Sequence, residues 1–261
     1  MAETWRLIVE DSDDPVFHLA SLEAVWRSLD EGPAPETLVL RRLSPCVLLG
    51  TSQEAAREVN LRECRKREIP VLRRPSEGGA IYCDRDCLLF SIVCRRCGQS
   101  GDSPVGVLEA WGGVIVKALQ RLGMAREASF AGPNDITLGG KKVAGLTMTD
   151  WYGIRSVSGA VLIDADLETM GAVLTPGAEK LGRHGADRIG DRVTTLRQWV
   201  KPPLTTSAVA DALIATVGAE RSISFRHEPL VARDLEAAEM LRKHKYGNPA
   251  WNRTEIALEE P

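Results

Sequence analysis

After Cys97 the sequence has no cysteine: Cys46, Cys64, Cys83, Cys87, Cys94 and Cys97 all lie in the first 97 of 261 residues. The later part therefore offers no thiol nucleophile. Within the early part, Cys83-x3-Cys87-x6-Cys94-x2-Cys97 is irregular for a metal site, and the intervening "LLFSIV" reads as a buried strand. At about 3.3 Å per residue, that run sets Cys87 and Cys94 roughly 20 Å apart, too far for one tetrahedral ion. The cysteines are read as small buried thiols of a reducing compartment. Neither sign of charge dominates, with 33 Lys and Arg against 36 Asp and Glu. No whole-molecule field draws nucleic acid or anionic lipid, so any anion site must be local. The opening "MAETWRLIVEDSDDPVFHLA" lacks a basic region followed by an apolar run, and no segment approaches the roughly 20 apolar residues that span a bilayer. A cytoplasmic location, with no nucleic acid or membrane partner, is expected. There is no internal repeat and no low-complexity linker. With 44% hydrophobic residues, residues 1–261 are expected to form a single domain, of which about 205–261 make a helical flank.

The apolar spacing outlines the elements. "DDPVFHLASLEAVWRSLDEG" opens on acidic residues and Pro15 and repeats apolar residues at helical intervals, so it predicts an amphipathic helix. "ETLVLRRL", "PCVLLG", "PVLRRP" and "GAIYCD" read as strands, "LRECRKREI" as a charged helix, and "VGVLEAWGGVIVKALQRLG" as a long helix ended by Gly123. "NDITL", "KKVAGLTMT" and "SVSGAVLID" predict three strands joined by glycine-bearing turns. Helices are expected over 167–174, 193–200, 208–217 and 231–245, with a strand at "SISFRH". Strands dominate the centre without regular β-α-β alternation, which predicts an α+β fold with a mixed, mostly antiparallel sheet flanked by helices.

Two stretches can carry chemistry. In "RRPSEGGAIYCD" arginines end one strand and a Gly-Gly pair opens the next, a pattern that suits an anion cradle and equally an ordinary turn. In "NDITLGGKKVAG" a lysine pair follows two glycines. Strand alternation points Lys141 and Lys142 to opposite faces, so at most one of them can face a given cleft.

Taken in order, Gly50-x-x-Gln53, Glu58-Val-Asn60, "RRPSEGGAIYCD", "NDITLGGKKVAG", "SGAVLIDADLETM", "DRVTTLRQWV" and "YGNPAWN" resemble the catalytic domain of lipoate-protein ligases, from about residue 40 to Asn252. These belong to the superfamily of biotin ligases and octanoyltransferases. The resemblance implies a fold like that of biotin ligase and class II aminoacyl-tRNA synthetase catalytic domains. It implies two steps: lipoate and ATP give lipoyl-AMP, with Mg2+ on the phosphates, and a lysine of an acceptor lipoyl-domain protein then takes the acyl group. It places the Lys-x-x-Gly element on Lys142 and Gly145, with Lys142 catalytic. The lipoate- and ATP-binding set falls on Arg73, Arg74, Ser76, Gly78, Gly79, Ala80, Ile81 and Tyr82, together with Asn134 and Asp135. A lysine ammonium beside a carboxylate and an α-phosphate would relieve repulsion as the anhydride forms.

Two positions depart from the family pattern. Glu77 stands for the first glycine of a triplet, a carboxylate beside the expected cradle unless it points away or pairs with Arg73 or Arg74. Cys83 stands for the usual histidine. Octanoyltransferases that use no ATP need a cysteine after the Lys-x-x-Gly element, and this sequence has none there. Transfer through Cys83, or ligand binding without turnover, are the alternative readings. Common single-chain ligases continue past "YGNPAWN" into an accessory domain, so a ligase subunit working with a separate small accessory protein is expected.

Overall fold

The computed structural model describes residues 3–96, 103–124, 126–175 and 189–253. In chain order the elements are β1 (Glu3–Ser12), α1 (Pro15–Glu31), β2 (Thr37–Leu43), β3 (Cys46–Leu49), α2 (Ala55–Glu58), α3 (Leu61–Lys66), β4 (Val71–Arg73), β5 (Ile81–Cys83), β6 (Cys87–Arg95) and α4 (Pro104–Arg121). There follow β7 (Ala128–Ala131), β8 (Asp135–Leu138), β9 (Lys141–Trp151), β10 (Ile154–Leu162), α5 (Leu167–Val173), α6 (Ile189–Arg192), α7 (Thr206–Arg221), β11 (Ile223–His227), α8 (Ala232–Leu241) and α9 (Pro249–Arg253). The fold is mixed α+β. Its main sheet runs β11-β1-β2-β6-β10-β9-β8-β7, and a smaller one runs β4-β3-β5. The main sheet is antiparallel from β2 to β7 and parallel only where β1 joins β2 and β11.

Three expectations change. β1 was not legible as a strand: flanked by β11 and β2, it is buried on both faces at Trp5, Arg6, Leu7 and Ile8, so no apolar-polar alternation marks it. The helix expected over 193–200 is reduced to a 3-10 turn at Leu196–Gln198, because Val193 instead bridges to Lys142 beside β9. The strand expected at "SISFRH" is present as β11, which joins the main sheet as an edge strand beside β1. The last predicted helix stops its α-helical part at Leu241 and continues as a π turn over Arg242–Tyr246.

What positions the site is α1, which crosses one face of the sheet. Asp14 caps it by accepting from the Val16 and Phe17 amides, and Pro15 sits in its first turn, where no amide is needed. Leu19, Leu22, Val25, Trp26 and Leu29 are all buried, each worth about 1.5–3 kcal/mol relative to exposure. The opposite sheet face packs on α4 and α7 through Leu40, Phe90, Ile115, Leu119, Val157 and Leu213. None of the described helices is long and apolar enough to cross a membrane.

Candidate active site

A cleft of about 400 Å³ lies between α1 and the sheet. Leu19, Leu22 and Trp26 of α1 face Leu89 of β6 and Ala160 of β10 across it. Of the residues expected from the sequence, Arg74, Ser76, Gly78, Gly79, Ala80, Ile81 and Tyr82 line it, as do Asn134, Asp135, Lys142 and Gly145. Arg73 does not.

A β-bulge explains the Lys-x-x-Gly spacing. β9 pairs with β8 so that Gly145 lies opposite Asp135 and Ala144 opposite Ile136, but Lys142 opposite Thr137, leaving Val143 extra. Without the bulge, residues three apart would face opposite sides of the strand. With it, Lys142 and Gly145 join Asp135 and Thr137 on one face. A Cβ on Gly145 would lie 2.7 Å from the Lys142 Nζ, so the bare glycine lets the ammonium fold back along the strand. Asp135 holds it there, its Oδ1 2.5 Å from Nζ, while Oδ2 accepts from Arg192 Nη2 at 3.1 Å. The Lys142 carbonyl accepts from the Thr194 amide at 2.8 Å, and Trp199 Nε1 donates to the Thr194 hydroxyl at 2.9 Å. Thus "DRVTTLRQWV" braces this lysine from the side. Lys141, opposite Leu138, is exposed and outside the cleft lining.

The glycine loop is organised from below by arginines instead of presenting them. Arg74 Nε donates to Ser76 Oγ, Nη1 to the Leu48 carbonyl, and Nη2 to the Glu77 and Gly79 carbonyls, at 2.8–3.0 Å. Its burial, opposed by Cys83 and Glu77 nearby, brings the guanidinium down to about 10, still charged at neutral pH. Arg74 thus lines the cleft with its donors directed to the loop and to Leu48 of β3. Gly78 sits at φ +106°, a conformation glycine takes readily, and its carbonyl lies 2.2 Å from where a Gly50 Cβ would be.

Arg73 is likewise a brace. Its Nη1 donates to the carbonyls of Gly50, Thr51 and Gln53, and Nε to that of Trp251. Asn252 Oδ1 accepts from the Arg73 amide, and Trp251 Nε1 donates to its carbonyl. So "YGNPAWN" and Gly50-x-x-Gln53 meet through one buried arginine, fully out of solvent at 0% exposure.

Glu77 points away from the cleft. Its carboxylate accepts from the Thr51 and Ser52 hydroxyls. Burial works against its charge, but those hydrogen bonds and the Arg74 charge hold it below the usual range. Cys83 is fully buried opposite Cys46 in the small sheet, outside the cleft lining. Its contact with Cys46 and its burial push the thiol up, which keeps it protonated and unsuited to attack. Among the described residues no group of three His, Cys, Asp or Glu side chains gathers to hold a metal; Cys97 lies outside them.

Sequence reading missed His18, Ser91, Thr147, Ser158 and Arg192, all of which line the cleft. His18, Leu22 and Trp26 recur every four residues and share one helix face, a stripe indistinguishable in sequence from core. Burial, then the charge of Arg41, hold the His18 imidazole well below its ordinary pKa, so it is neutral at pH 7.

Residues 14–218 match the lipoyl protein ligase A/B catalytic domain. The chain belongs to this family. Lipoate-protein ligase 1 of Staphylococcus aureus is 30% identical over 92% of the chain and 70% of its own length. Octanoyltransferase LipM of Brevibacillus brevis is 24% identical over 96% and 99%. Among solved structures, the bi-partite lipoate protein ligase of Thermoplasma acidophilum, described with its E2 lipoyl domain, superposes with a TM-score of 0.86 at 27% identity, over 99% of this chain and 100% of that one. A lipoate-protein ligase A bound with ATP gives 0.83 at 26%, over 97% and 100%. In this lipoyl ligase A/B domain, Lys142 and Gly145 share one strand face, and neither Glu77 nor Cys83 is in the cleft lining.

Proposed function

We propose that the chain attaches lipoate to an acceptor lysine through an acyl-adenylate made from ATP. The observation that carries this is the Lys142 ammonium at the edge of a cleft with an apolar flank under α1 and a glycine loop on the other side. In the first step a lipoate carboxylate oxygen attacks the α-phosphorus of ATP, the phosphorus–oxygen bond to pyrophosphate breaks, and lipoyl-AMP remains. Lys142 lies where it can neutralise both anions, so the repulsion between carboxylate and phosphate falls as they approach. Ser76, Gly78 and Gly79 bring backbone close to the phosphates, since neither glycine carries a side chain to keep them off. In the second step the neutral amine of the acceptor lysine attacks the acyl carbonyl, the amide forms, and AMP leaves with the anhydride electron pair. The same ammonium polarises that carbonyl.

Magnesium would arrive with the triphosphate and shield its charge, because Asp135 is already engaged by Lys142 and Arg192. The match to the whole solved chain of a bi-partite ligase supports a separate small accessory subunit, and that system's E2 lipoyl domain supports an acceptor of the same kind. A cytoplasmic site of action, and a single domain over 1–261, belong to the same reading.

ATP-free octanoyl transfer is the second reading, favoured by the match to nearly all of an octanoyltransferase. Against it, among the described residues no cysteine lines the cleft, and transfer without adenylation needs a covalent nucleophile. Incubation with ATP, lipoate and a lipoyl domain, with the accessory subunit supplied, followed by mass spectrometry of the acceptor, separates the two. Acylation only with ATP is expected; acylation from an octanoyl carrier without ATP would replace this reading with the second.

A further inference from the structure

Strand register lays a continuous row across the sheet beneath α1. Asp135 pairs with Gly145, Gly145 with Ala160, Ala160 with Leu89, and Leu89 with Arg41. Three strand spacings of about 4.8 Å separate Gly145 from Arg41, roughly 14 Å in all. An acyl chain whose carboxylate meets Lys142 therefore runs over Gly145, Ala160 and Leu89 and brings its tail to the end of the row, under His18.

That end is rich in donors and poor in acceptors. A guanidinium only donates, so Arg41 Nη1, 3.1 Å from His18 Nδ1, makes Nδ1 the acceptor and leaves the imidazole proton on Nε2. Among the described residues no protein acceptor meets Nε2, and His18 lines the cleft while only 5% exposed. Beside it, Arg41 Nη2 is buried and without a partner, although Nε reaches Glu10 at 2.7 Å. Buried donors in native structures are seldom left unpaired, and each one left so costs stability or affinity.

We propose that His18 is a specificity-determining residue whose Nε2–H reads the tail of the acyl group, favouring a tail that carries hydrogen-bond-accepting sulfur over a saturated tail of similar length. The inference rests on the acyl-binding reading of the cleft. The dithiolane sulfurs of lipoate present lone pairs to this donor. The methyl end of octanoate presents none, and by displacing water it leaves the N–H unpaired. Because N–H to sulfur contacts are weak, the discrimination expected is about tenfold, far below that of a site built around a substrate hydroxyl.

Calorimetric titration of the purified chain with lipoate and with octanoate, without nucleotide, tests this. The native chain is expected to bind lipoate about tenfold more tightly. His18→Phe should bring the ratio towards one, with the larger loss on lipoate. His18→Leu, which has no side-chain donor and less bulk than Phe, should do the same, and thermal melts of both variants identify a folding defect. Equal binding of both acids by the native chain, or an unchanged ratio in the variants, would overturn the proposal. Absence of binding by either acid would overturn it together with the acyl-binding reading. Selective binding with no lipoyl-AMP on adding ATP together with the accessory subunit would leave it standing and count against the ligase reading alone.

Discussion

Gly145 decides where the Lys142 ammonium can sit. A methyl group there would fall 2.7 Å from Nζ and 2.8 Å from Cε, and the flexible lysine, rather than the strand, would give way. Gly145→Ala is therefore expected to leave the melting temperature nearly unchanged while lowering lipoyl-AMP formation by roughly ten- to a hundredfold, since a displacement of about 1 Å at a reacting centre has that effect. Rate and thermal melt measured on the same preparation check it. At this scale much was legible. Alternation alone limited the lysine pair to one residue per cleft, and the structure puts Lys142, not Lys141, in the lining. The bulge at Val143 was not legible, because one extra residue leaves no mark in composition or periodicity. Nor could the direction of Glu77 be read, which depends on hydroxyls of Thr51 and Ser52 some 25 residues away in sequence.

Among elements, the short strand β4 and the helix α9 are joined by a single side chain. Arg73 gathers carbonyls from the 50–53 turn and from Trp251, so the loop that carries the glycines depends on a helix late in the chain. Replacing it with Met fills much of the volume but strands several buried carbonyls. Arg73→Met should lower the unfolding free energy by about 3 kcal/mol or more, read from urea titrations. The sequence placed both arginines at a strand end and could not tell a brace from an anion clamp, because that depends on which carbonyls the folded chain brings within reach. The three strands around the lysine pair and the long helix α4 were readable from their periodicity. β1 was not, since a strand covered on both faces shows none.

Across the whole molecule, α1 is held to the C-terminal part by a buried carboxylate. Glu23, 2% exposed, accepts from Lys245 at 2.7 Å, from Arg27 at 2.8 Å and from the Tyr246 hydroxyl. Burial raises its pKa, but Lys245, Tyr246 and Arg27 outweigh that and hold it below the usual carboxylate value. A depressed folded-state pKa stabilises the protein at pH above the unfolded value of about 4.3, and this contribution is lost as pH falls through the folded value. Glu23→Gln should thus lower the melting temperature at pH 7 and reduce the further drop between pH 5 and pH 2, compared with the native chain. Melting curves across that range check the sign. Because α1 also roofs the cleft, the same variant should weaken lipoate binding as the helix loosens.

On the proposed function, one ammonium, Lys142, drives ATP-dependent activation of lipoate. Its most direct test is lipoyl-AMP formation from ATP and lipoate by the native chain, with its accessory subunit supplied where required, beside Lys142→Ala and Lys141→Ala. Adduct is expected from the native chain, with a loss of at least about a hundredfold in Lys142→Ala, the fold retained, and little change in Lys141→Ala. Equal losses in both variants, or undiminished adduct in Lys142→Ala, would contradict it.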